Sequence, residues 1–115
     1  MEKLVIGIDF GTDSCRAVVL NTASGRELAA AVSGYSRWKR GLYCDPSANR
    51  YRQHPQDYID SFEEVIHHSF AQLSPGEVHN IVAIGIDTTG STPCLTDRNG
   101  IPLALLPGYE GDPDA

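Results

Sequence analysis

The chain has 115 residues, 41% of them hydrophobic and 21% charged, and a formal net charge of −6. That length admits one domain with a single core, burying about two-thirds of the surface its unfolded form exposes. The acidic balance argues against a polynucleotide or an anionic membrane as partner, since both require a basic face. Cys15, Cys44 and Cys94 are odd in number and far apart, without metal-ligand spacing. No stretch reaches the length of a membrane span. The opening Met1-Glu2-Lys3-Leu4 enters a strand directly, with no basic or apolar leader, so a cytoplasmic location is expected.

Residues 3–9 form a continuous apolar run that predicts a buried strand, and 14–22 predict a second. Cys15 alternates with the strand residues there and reads as a small apolar filler. Asn21-Thr22-Ala23-Ser24-Gly25 is a turn, with Gly25 free to take positive φ. A third strand is expected over 26–37, and the short connections favour an antiparallel meander. Residues 38–54 have no clean period and read as a long loop carrying Trp38, Tyr43, Tyr51, Arg50 and Arg52. Tyr51 is expected to cover the core beneath that loop.

Pro55 opens a helix, with Asp57 favourable against its dipole. Tyr58, Ile59, Phe62, Val65, Ile66, Phe70 and Leu73 supply the apolar face. Asp60, Glu63, Glu64, His67 and His68 are expected to be solvated, and Ser74-Pro75-Gly76 to end the helix. Ile81–Ile86 read as a buried strand parallel to the first, because a helix crosses over to reach it. A polar loop, Asp87–Thr92, follows, and then a hairpin of 94–96 and 101–103 about Asp97-Arg98-Asn99-Gly100.

This order, β-β-β-α-β plus a hairpin, places Asp9 and Asp87 at the carboxyl ends of neighbouring strands, where open α/β sheets bind ligands. The turn Gly11-Thr12-Asp13-Ser14 joins the first two strands. It can bring backbone N–H groups to an anion, and Gly11 lacks the Cβ that would block approach. Asp9 is sited to hold a divalent cation beside that anion, and Arg16 to bind phosphate oxygens in a fork. Asp13 would repel phosphate unless it faces away or binds the cation, so it ranks below Thr12 and Ser14. An Asp-capped tight turn with an exposed Arg16 accounts for the same residues without a ligand.

Asp9, Gly11, Thr12, Ser14 and Arg16 stand where the first phosphate loop of the FGGY carbohydrate kinases has them, and residues 4–20 resemble that loop. Trp38-Lys39-Arg40-Gly41, Cys44-Asp45, Asn49, Arg52, His54-Pro55, Asp57-Tyr58 and 87–93 narrow the resemblance to the N-terminal part of members acting on L-ribulose. The resemblance covers essentially the whole chain. It implies a ribonuclease H-like (actin-like ATPase) α/β fold with a mixed sheet, present as a partial domain. Residues 1–115 would then be the N-terminal part of the first domain, with the second domain and the catalytic aspartate in later segments. No catalytic residue is expected within the chain, which by itself should be inactive.

The resemblance further implies ATP and Mg²⁺ as cofactors, with Gly11, Thr12, Asp13, Ser14 and Arg16 on the ATP phosphates and Asp9 on the metal. Thr89, Gly90, Ser91 and Thr92 would line the pocket for L-ribulose or a related ketopentose. Hydroxyls and open backbone suit such a polyhydroxylated ligand. A homo-oligomer is expected of the intact protein.

Two other classes fit parts of the pattern. A ribonuclease H-like nuclease shares the strand order and would use Asp9 and Asp87 with two metals. It would also need a helix carboxylate aimed inward, and Glu63 and Glu64 face out. The third possibility is a non-catalytic binding module on half an actin-like fold, with uncovered apolar surface.

Overall fold

In the computed structural model, which describes residues 1–90 and 92–115, three strands make an antiparallel meander: β1 (Leu4–Phe10), β2 (Ser14–Asn21) and β3 (Glu27–Gly34). The turn between β2 and β3 is held by Asn21 Oδ1, which accepts from Ala23 N and Ser24 N, and by Gly25 at φ +70°. Helix α2 (Pro55–Phe70) then crosses to β6 (Ile81–Thr88), which pairs in parallel with β1, so the four strands run β3-β2-β1-β6. Asp9 lies opposite both Arg16 and Asp87 in register, as the sequence predicts for the two aspartates.

The core lies on one side of this sheet. Leu4, Ile6 and Ile8 of β1, Cys15, Ala17 and Val19 of β2 and Ala29 of β3 form one buried cluster with Tyr35 and with Val65 of α2. With side chains alternating along each strand, Val5, Gly7 and Asp9 take the opposite, open face. The first strand is therefore buried on one face only, although its sequence is apolar on both.

The helix buries a different stripe from the expected one. Asp57, Ser61, Val65 and Ser69, spaced four apart, are buried, while Tyr58, Phe62, Ile66 and Phe70 flank them against the core. Ile59 is exposed. Small residues let the helix lie close to the sheet, and apolar periodicity does not register Ser and Asp. Glu63, Glu64, His67 and His68 are exposed as predicted, with Glu64 accepting from Ser33 Oγ at 2.6 Å.

Several boundaries move. Strand β3 ends at Gly34, not 37, because Ser36–Lys39 form a short helix α1 whose first turn donates to Asp57. The region read as an irregular loop holds α1 and a small β4–β5 pair (Cys44–Asp45, Arg50–Tyr51). Asp45 caps the 3-10 turn Pro46–Ala48 between those strands, and Asn49 takes φ 51°. Ser74 does not merely follow the helix. It opens α3 (Pro75–His79) through a capping box with Glu77, a signature legible as Ser-x-x-Glu. The final hairpin reduces to one bridge, Thr96 to Pro102.

Strand β6 was expected to be buried and is exposed. Val82, Ile84 and Ile86 stand at 58%, 50% and 62% exposure, because β6 is an edge strand and α2 covers β2 and β3 instead. The opposite edge is partly closed: the Gln72 side-chain amide pairs with the backbone of Ala30, accepting at 3.3 Å and donating at 2.7 Å. Among the described residues, no helix is long and apolar enough to cross a membrane.

Candidate active site

The turn after β1 is braced from behind. Gly11 N donates to Ser14 O at 2.8 Å, closing it. The Gly11 carbonyl accepts from Tyr35 Oη at 2.9 Å, the Thr12 carbonyl from Gln53 Nε2 at 2.8 Å, and the Asp13 carbonyl from Tyr35 N at 2.9 Å. Tyr35 is fully buried, and burial holds its phenol above the usual range. The Thr12 and Asp13 N–H groups, by contrast, donate to no described residue. Thr12 and Asp13 are exposed. Ser14 is only 8% exposed, so its side chain has little access to a ligand. At Gly11 a Cβ would stand 3.1 Å from Ser14 O, which explains why a side chain is disfavoured there.

Asp9, Arg16 and Asp87 share one cross-strand row on the open face, beside a second row of Val18, Gly7 and Gly85. Together they line a shallow trough of about 610 Å³. Among the described residues no cluster of three or more His, Cys, Asp or Glu can enclose a metal. Two exposed strand-end carboxylates do fit a hydrated Mg²⁺, an ion bound through one or two carboxylates, waters and phosphate oxygens rather than a protein cage. The Lys39 stem lies over Gly34, the register partner of Ser14, which brings a second cation near the turn.

A larger cleft of about 1180 Å³ opens beside the turn. Thr12 lines it from the turn, Thr88, Thr89, Gly90 and Thr92 from the end of β6, and Tyr43, Tyr51, Arg52, Gln53 and His54 from the middle segment. Ser91 lies outside the described residues. Motifs 40 to 80 residues apart in sequence thus meet at one place, although Asp9 and Arg16 face the trough while Thr12 faces the cleft. Tyr51 was expected to cover the core. It is instead 54% exposed on the cleft wall, because the β4–β5 pair carries it outward, and Trp38 packs against the core.

Three cleft residues were not picked out by the sequence as site residues. Tyr58 Oη is buried with no hydrogen-bond partner among the described residues. Burial raises its pKa, opposed by the neighbouring Thr92 and Thr89 hydroxyls. His54 Nδ1 accepts from Gln56 N at 3.0 Å and caps α2, its ring packed against Tyr43 with centroids 5.0 Å apart. Burial, then the charge of Arg37, lowers its pKa. Gln53 reaches across to the turn, and a lone polar side chain in a loop carries no sequence signal of such a role.

No family model matches the chain. Individual relatives do. The chain is 48% identical over 114 residues to a ribulokinase of Vibrio parahaemolyticus, a match spanning 99% of this chain and 20% of the relative. It is 32% identical over 117 residues to a ribulokinase of Halalkalibacterium halodurans, spanning 96% and 20%. The chain is thus similar to curated carbohydrate kinases over nearly its whole length. It spans about one-fifth of the length of the curated relatives it matches. Its fold is that of the actin-like ATPases. A xylulose kinase from Brucella ovis superimposes with a TM-score of 0.71 at 22% identity, over 84% of this chain and 19% of that one. A gluconate kinase from Lactobacillus acidophilus does so at 0.60 and 20% identity, over 77% and 16%.

Proposed function

We propose that this chain supplies the phosphate-binding turn and one wall of the sugar cleft of an ATP-dependent carbohydrate kinase acting on L-ribulose or a related ketopentose. The observation that carries the reading is the braced turn, whose Thr12 and Asp13 N–H groups donate to no described residue, beside a hydroxyl-lined cleft. The identity to two ribulokinases supports the choice of substrate.

Phosphoryl transfer depends mainly on positioning and on neutralising charge over the moving oxygens. In this reading the turn N–H groups of Thr12 and Asp13, with Gly11 allowing close approach, bind the ATP phosphates. Ser14 contributes by closing the turn, and Arg16 binds phosphate oxygens as a fixed cation. Asp9, with Asp87 beside it, would hold Mg²⁺, which when bound neutralises phosphate charge. Thr89, Gly90 and Thr92, with Ser91 between them, orient the sugar hydroxyls. The general base comes from outside these residues, so the 115-residue chain binds without turning over. It corresponds to the N-terminal part of the first of two domains.

Calorimetric titration of the chain with L-ribulose, other ketopentoses and Mg-ATP tests this. Binding of sugar and nucleotide without ADP release is the expected result. Steady sugar-dependent ADP release, or silence toward both ligands, would overturn it. The nuclease alternative loses support because Glu63 and Glu64 are exposed on α2, across the sheet from the trough that holds Asp9 and Asp87.

A further inference from the structure

We propose that Gln53 is a positioning residue that sets the anion affinity of the Gly11–Ser14 turn and ties that turn to the cleft. The inference rests on the phosphate-binding reading above. A trans peptide is planar, with its C=O and N–H pointing in opposite directions. Holding the Thr12 carbonyl therefore fixes the direction of the Asp13 N–H, and holding the Gly11 carbonyl fixes that of the Thr12 N–H. Tyr35 Oη holds the second and Gln53 Nε2 the first. These are the two N–H groups that donate to no described residue.

The two braces differ in kind. Tyr35 is fully buried and bonds the turn through both its phenol and its backbone N–H, so it belongs to the core. Gln53 spans 41 positions in sequence to reach an exposed residue whose carbonyl water could equally satisfy. Stability does not require that bond. Its base is firm: Arg52 N donates to Tyr43 O at 2.9 Å on one side, and His54 caps α2 on the other. Arg52, Gln53 and His54 all line the cleft, so a ligand there presses on the segment that orients the turn.

The test follows the Thr12 and Asp13 amide resonances of the ¹⁵N-labelled 115-residue chain during titration with inorganic tripolyphosphate. Gln53→Met keeps the length and neutrality of the side chain but removes the donor, and Gln53→Asn keeps the amide one methylene short. Each should bind about five-fold more weakly, the size of one lost hydrogen bond. Melting temperature should stay within about 2 °C of the parent, which a purely structural role would not allow. Equal affinity in parent and both variants overturns the proposal and leaves the phosphate reading standing. If the parent amides do not respond to tripolyphosphate at all, the phosphate reading fails and the proposal falls with it.

Discussion

Asp57 is the group whose removal should cost most. Its carboxylate is 1% exposed and accepts from Arg37 N, Trp38 N, Ser36 Oγ and Arg37 Nη1, the last at 2.8 Å. It thereby starts α1, anchors Arg37 and joins the middle segment to α2. Hydrogen bonds to a charged group contribute about 1.5–3 kcal/mol each, and breaking a buried pair costs about 3–5 kcal/mol. Arg37 is 26% exposed, so water recovers part of its loss. Asp57→Ala should then destabilise by ~3 kcal/mol, lowering the melting temperature by roughly 12 °C, with Asp57→Asn losing about half as much. Urea unfolding followed by the fluorescence of Trp38, the single tryptophan, reads both effects. Trp38 lies in α1, so its native signal should also change as that helix frays. A loss below about 1 kcal/mol for the alanine variant would refute the reasoning, because it would mean the buried carboxylate's partners are equally content in water.

Other expectations follow from the same geometry. The folded-state pKa of His54 is lowered, so its contribution is present above the ordinary value of about 6.5 and lost as pH falls through the folded value. Between neutral and mildly acidic pH, His54→Asn, which still caps α2, should lose less urea resistance than the parent. Burial raises the Cys15 thiol to about 11, whereas Cys94 is exposed, so iodoacetamide at mildly alkaline pH should label Cys94 and spare Cys15 by peptide mapping. Gly11→Ala forces a Cβ against Ser14 O and should cost about 1 kcal/mol in urea titration while weakening tripolyphosphate binding.

What the sequence determined by itself was local or register-bound. Alternation and turn chemistry gave the meander, the parallel return of β6, and the pairing of Asp9 with Asp87, because strand period and crossover geometry leave few alternatives. What tertiary structure decided was burial and convergence. The face of β1 and β2 that is covered depends on where α2 lands, and its buried stripe of Asp57, Ser61, Val65 and Ser69 is polar enough to hide from hydropathy. Thr12, Gln53 and Thr89 meet in one cleft only because three chain segments end at the same sheet edge, and no spacing rule links positions so far apart. The Gln53 brace is of this second kind: a side-chain amide finds a carbonyl across the fold, and its chemistry at the chain level is that of any glutamine.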